Sequence, residues 1–195
     1  MGKGRLEAFS DGVLAIIITI MVLELKVPHG ASWQALRPIA PELTAYVVSF
    51  VYVAIYWNNH HHLMHLVKKV NGWIMWANMH LLFWLSLIPV LTGWIGENPN
   101  DVAPAFGYGV VLFMAGIAWL LLQRAIISAH GGVSQSELSR AIGDDKKGKL
   151  SGVAYLAGIG LAFVHPYLSI AIYVVMAIVW VVPDRRISRA LEAHE

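Results

Sequence analysis

At 195 residues the chain is 57% hydrophobic and only 13% charged, against roughly 45–50% and about 25% in soluble domains. A chain of this size has no interior large enough to hide its apolar stretches, which argues against a soluble bundle and for an integral membrane protein. The net charge of +2 says little by itself, and the absence of cysteine excludes disulfides and thiolate metal sites.

The first apolar segment, 6–25, follows Lys3 and Arg5. It reads as a span rather than a signal peptide, because no small-residue cleavage site follows before Glu24 and Lys26. At about 100° per residue, Phe9, Gly12, Ile16, Ile20 and Leu23 fall on one stripe, with Thr19 on its shoulder and Arg5 extending it. Ser10 and Asp11 face away. A carboxylate inside a span needs a partner, either as a structural anchor to another helix or as an ion or proton site.

The second span, 43–58, follows Pro38 and Pro41 and closes in the run Trp57-Asn58-Asn59-His60-His61-His62-Leu63-Met64-His65. His61 and His65 share a helix face, as do His62 and His65, which is compatible with ligation. No Cys, Asp or Glu lies nearby in sequence to complete a tetrahedral site, so no metal centre is expected. One or two of these imidazoles are expected to reach Asp11 or Ser10, at the same depth. The third span, 74–95, carries Asn78, His80, Ser86, Pro89 and Thr92. Pro89 predicts a kink, and Asn78 is placed to join the same polar cluster. Arg5, Ser10, Asp11, His61, His65 and Asn78 are thus the candidates for a network that locks the first helix to its neighbours.

The fourth span covers 105–122, and a polar stretch from Ser134 to Lys149 separates it from an apolar block, 150–182. That block is too long for one span and short for two. His165-Pro166 divides it, which predicts a hairpin of two short helices, 150–164 and 167–182. Charge decides between five spans and six. With the N-terminus inside, only Lys26 and Arg37 of the 14 basic residues fall outside, and Arg185, Arg186 and Arg189 place the C-terminal tail on the same side as the N-terminus. The expected fold is therefore an all-α integral membrane protein, residues 1–195 forming one domain of six transmembrane helices, with both termini cytoplasmic. Trp73, Trp76, Trp94 and Trp180 lie near span ends as interfacial anchors, while Trp57, Trp84 and Trp119 are placed between helices. Ala154, Gly158 and Ala162 form a small-residue stripe for close packing.

The first helix also carries a motif. Arg5, then Phe9-Ser10-Asp11-Gly12-Val13, Ala15-Ile16, Thr19 and Leu23-Glu24-Leu25 resemble the signature of the transmembrane-protein-175 family, the lysosomal and endosomal potassium channels of animals and their prokaryotic homologues. Trp57 with its histidines, and Asn78, Leu82, Pro89 and Thr92, extend the resemblance over roughly the first half of the chain. It implies a homotetramer in a prokaryotic cell membrane, with the first helices lining a central pore. It also implies a hydrophobic constriction at Ile16, Ile20 and Leu23, in place of a carbonyl filter, with Thr19 available to solvate the ion. The Phe-Ser-Asp block would then hold that helix to the second and third.

The implied function is a potassium-permeable cation channel with modest selectivity over sodium. Its partners are further copies of itself, the lipid bilayer and monovalent cations. No nucleic acid, catalytic residue or cofactor is expected beyond potassium as the permeant ion. Two other classes compete. A secondary transporter predicts internal repeats and a midplane polar site. A metal-dependent membrane protein built on the His60–His65 cluster predicts acidic ligands on the same side.

Overall fold

The computed structural model describes residues 2–131 and 145–181. Arg140, Arg185, Arg186 and Arg189, used in the charge argument, lie outside the described residues. Apart from one 3₁₀ turn at Trp33–Leu36, the regular elements are α-helices: α1 (Lys3–Leu23), α2 (Ala40–His65), α3 (Gly72–Ser86), α4 (Ile88–Glu97), α5 (Val102–Ala129), α6 (Lys146–Leu161) and α7 (Pro166–Val181). Among the described residues, four stretches are long and apolar enough to cross a membrane: α1, α2, α3 continued by α4, and α5. Helices α6 and α7 are 16 residues each and form a hairpin.

Local chemistry sets several boundaries. Asn71 caps α3 by accepting the Ile74 N–H at 2.9 Å, and Asp145 caps α6 by accepting that of Gly148 at 2.8 Å. Pro166 opens α7, where its missing N–H costs nothing. In the third span Pro89 has no N–H for the Leu85 carbonyl, and the helix is interrupted at Leu87. Around the break the Ser86 hydroxyl donates to Phe83 O at 2.7 Å, and Thr92 Oγ1 lies 2.7 Å from Ile88 O. Where a kink is expected the helix is interrupted, two residues ahead of the proline.

Helix α2 departs most from expectation. The apolar pattern fades at residue 58, yet the helix continues through the histidines to His65. Hydropathy marks where a helix leaves the bilayer, and polar residues carry it further without changing its backbone pairing.

The interior has two apolar clusters. One gathers Leu6, Leu14, Ile17 and Met21 of α1 against Val53, Leu63, Leu81, Leu85 and residues of α5. The other centres on Tyr52, Tyr108, Tyr155 and Tyr173, one each from α2, α5, α6 and α7. Tyr52 donates its hydroxyl to Tyr173 O at 2.6 Å, and Tyr173 donates to Ala105 O at 3.2 Å, so these buried phenols are satisfied while tying helices together. The small-residue stripe lies at this joint. Gly158 and Ala162 are buried, and a Cβ on Gly158 would meet the Tyr173 ring at 2.5 Å.

Successive spans run up and down, α3 and α4 together forming one of them. Lys3 meets His65 and the Lys68 and Lys69 amides meet His130 at one end. At the other, Lys26 contacts Glu97 at 2.7 Å and Glu42 at 3.5 Å. The hydrogen bond to Glu97 and the charge of Glu42 hold the Lys26 ammonium above the ordinary lysine range.

Candidate functional site: the first helix and its attachments

Helix α1 has two unlike faces. Leu6, Ser10, Leu14, Ile17 and Met21 recur at steps of four and three and are buried against the rest of the chain. The opposite face is apolar and uncovered: Ile16 is 58% exposed and Leu23 80%, with Phe9, Gly12 and Ile20 on the same exposed side. Thr19 lies there too, its hydroxyl donating to Ile16 O at 2.9 Å. That bond uses the only hydroxyl hydrogen and leaves the oxygen free to accept.

The buried face is fastened by a short polar chain. Ser10, fully enclosed, donates to Leu6 O at 2.9 Å and accepts from Asn78 Nδ2 at 2.9 Å. Because the Asn78 amino group is committed to Ser10, its carbonyl faces His60, 2.8 Å from Nε2. The Nε2 of His60 therefore carries a proton and donates it to that carbonyl. Its Nδ1 is buried with no hydrogen-bond partner among the described residues. Three helices, α1, α2 and α3, are joined by this chain of side chains. The single serine at the centre is flanked by apolar packing.

A second set of contacts runs along the α1–α2 edge. Asp11 accepts from Trp57 Nε1 at 3.0 Å, Glu7 Oε1 lies 3.7 Å from His61 Nδ1, and Lys3 Nζ reaches His65 O at 3.4 Å. The helices are antiparallel, so each step of four back along α1 is matched by a step of four forward along α2. This register explains two departures from the sequence reading. Asp11 faces the indole of Trp57 and not a histidine, because the imidazoles lie one turn further toward the helix end. Trp57, expected between helices, lies on this edge and is nearly half exposed.

Of the expected locking residues, Ser10 and Asn78 meet each other, Asp11 meets Trp57, and His61 and His65 meet each other at 3.1 Å between their Nε2 atoms. The Arg5 side chain is exposed and makes no hydrogen bond or ion pair among the described residues. His60 is the member that sequence reasoning left among the other histidines. Its position on the inner face of α2, one residue from His61 and therefore about 100° around the helix, is the signal that distinguishes it. A carboxylate does stand beside the histidines, contrary to the local sequence: Glu7 comes from α1.

A family model described as the endosomal/lysosomal potassium channel TMEM175 matches residues 5–89, the stretch from α1 into the start of α4. A potassium channel of Chryseobacterium sp. (strain P1-3) is 54% identical over 194 residues, covering all of both chains. A potassium channel of Streptomyces collinus is 32% identical over 90% of each chain. The crystal structure of a lysosomal potassium-selective channel TMEM175 homolog from Chamaesiphon minutus superposes with a TM-score of 0.79 at 28% identity, covering 93% of this chain and 97% of that one. Whole-length likeness to such proteins, together with the matched motif on α1 and its contacts with α2 and α3, means that the chain belongs to the TMEM175 family.

Proposed function

We propose that this protein is a potassium-permeable channel of the plasma membrane, formed by four copies of the chain around a pore lined by α1. Each copy crosses the bilayer six times, with α6 and α7 as a short final hairpin and both termini in the cytoplasm, and the whole of residues 1–195 is one channel domain. The observation that carries the reading is the two-faced first helix. Its back is buried and hydrogen-bonded through Ser10, while its front, with Ile16, Ile20 and Leu23, is uncovered in the single chain. One helix cannot enclose a pathway, but four such fronts around an axis do.

In that arrangement four Ile16 side chains form a ring that excludes water, and conduction requires the helices to move apart. Thr19, whose oxygen is free to accept, supplies ligands close to the ring and a modest preference for potassium over sodium. Ser10, Asn78 and Asp11 hold each α1 in register while its front stays apolar. Conduction of this kind uses no catalytic group and no cofactor, potassium being the permeant ion.

Potassium flux into liposomes containing the purified protein tests the function, and Ile16→Asn tests the gate. A polar ring at this level removes the dewetting barrier, so the variant should conduct at least several-fold more than the parent. A parent protein that assembles but passes no potassium refutes the reading. Unchanged flux in a normally assembled Ile16→Asn channel places the constriction elsewhere on α1.

A further inference from the structure

We propose that Glu7, His61 and His65 form a binding site for a divalent transition-metal ion that bridges α1 and α2. The two histidines stand four residues apart on one helix face, with Nε2 atoms 3.1 Å apart, and the Glu7 carboxylate comes from the neighbouring helix, 3.7 Å from the other ring nitrogen, Nδ1, of His61. Taking one donor atom from each side chain, all three lie within 4.8 Å of one another. Metal–nitrogen and metal–oxygen bonds of roughly 2.0–2.2 Å put adjacent tetrahedral donors about 3.3 Å apart. Ion binding therefore requires the three side chains to draw together by about 1.5 Å at most, with one ring nitrogen of His61 as the donor.

The donor set selects the class of ion. Two imidazoles and one carboxylate suit Zn²⁺, Co²⁺ or Ni²⁺, whereas Mg²⁺ and Ca²⁺ require mainly oxygen ligands. His65 is exposed and the other two are partly so, which leaves water access to a fourth position. Trp57 stacks on His61 at an interplanar angle of 26° and is itself fixed by its bond to Asp11, so the central ring is already oriented. The charges around the site are Glu7 and Asp11, which favour a cation, and Lys3 at the His65 carbonyl, which opposes it. The His62 ring meets His61 edge-on outside the cluster. In the metal-free arrangement a single hydrogen bond joins the two Nε2 atoms. An ion replaces that one bond with two ligand bonds and a charge partner for Glu7.

Binding is independent of the channel reading, but its consequence rests on it. Glu7 stands on the helix whose front carries Ile16, so an ion clamping α1 to α2 restrains the outward movement that opening requires. Zn²⁺ therefore inhibits conduction from the side that bears Glu7.

The site is tested on the untagged, full-length protein in detergent, by titration with Co²⁺ followed by its visible absorption and by displacement with Zn²⁺. One site per chain is expected, weakened on the order of 100-fold by Glu7→Gln or His65→Ala, since even outer-shell changes cost roughly 10–100-fold. His62→Ala should bind as the parent does. Glu7→Gln preserves shape and polarity, so its loss of binding in a normally eluting protein reports the missing ligand. Equal affinity in the parent, Glu7→Gln and His65→Ala overturns the site, as does a parent that binds neither ion. In liposomes, Zn²⁺ should reduce potassium flux in the parent and not in Glu7→Gln. Binding without any effect on flux overturns the clamp, whereas absence of flux before metal is added refutes the channel reading and leaves the binding result standing.

Discussion

Replacing Asn78 by leucine keeps the volume at the centre of the three-helix junction but removes both hydrogen-bonding ends of the side chain. Ser10 loses the donor at 2.9 Å and His60 loses the acceptor at 2.8 Å. Ser10 retains its own bond to Leu6 O and is only partly deprived. His60 is left with nothing: its Nδ1 is already unpartnered among the described residues, so the whole imidazole becomes a buried polar ring without a hydrogen bond. Stranding a buried donor costs about 1–3 kcal/mol, and loss of a net hydrogen bond at Ser10 adds roughly 1 kcal/mol. The expected destabilisation is about 2–4 kcal/mol. Intrinsic tryptophan fluorescence during heating should show a lower melting temperature, and size-exclusion chromatography a smaller assembled fraction.

A cycle with His60→Ala separates a hydrogen bond from simple crowding. Once His60 is gone, Asn78→Leu strands no donor, so the double variant should be more stable than the sum of the single effects predicts by about 1–2 kcal/mol. Strict additivity, or an Asn78→Leu protein as stable as the parent, refutes the assignment of this chain of side chains as the fastening of α1.

Two further variants probe other joints. Asp11→Ala removes the acceptor of the Trp57 indole and should destabilise by about 1–2 kcal/mol with a red shift of Trp57 fluorescence, while bi-ionic reversal potentials stay unchanged. A stable tetramer with altered potassium-to-sodium preference would instead make Asp11 part of the ion path. Gly158→Ala places a methyl group 2.5 Å from the Tyr173 ring and should cost about 1–3 kcal/mol by overpacking, recovered in part by Tyr173→Leu; a Gly158→Ala protein that melts with the parent refutes close α6–α7 packing at this point.

The sequence made α1 legible because its two faces differ in kind and its period is unambiguous. Leu6, Ser10, Leu14, Ile17 and Met21 alternate with the Ile16 stripe, so the side carrying the serine could be assigned before any neighbour was known. Ser10 and Asn78 were brought together by depth alone. The contacts of Asp11 and Glu7 were not readable in this way. They depend on which turn of α2 faces which turn of α1, and a shift of one turn exchanges Trp57 for His61. Hydropathy carries no information on that register. It also hides the continuation of α2 to His65, where polar residues keep a helical backbone.

The tyrosine joint escaped for a different reason. Tyr52, Tyr108, Tyr155 and Tyr173 come one from each of four helices and form no pattern within any of them. Their convergence is a property of packing. What the sequence did supply was the complement, the Ala154–Gly158–Ala162 stripe, and Gly158 is where the Tyr173 ring rests.

The placement of polar groups on α1 makes a physical argument about how such a helix is kept in position. A helix whose front is almost wholly apolar has little preferred rotation in a bilayer, since Leu and lipid tails are equally greasy and hydrophobicity barely distinguishes its faces. Rotation must be fixed by groups that tolerate only one neighbour. Ser10 provides such a group on the buried side, and its bond to Asn78 is made within the chain and not across the proposed pore. Asp11 and Glu7 provide two more on the α2 edge, roughly a right angle away, so the helix is held from two directions. With rotation fixed from behind, the front is free to carry residues chosen only for size. Ile16 can then meet its symmetry mates closely enough to exclude water without any polar group in the ring.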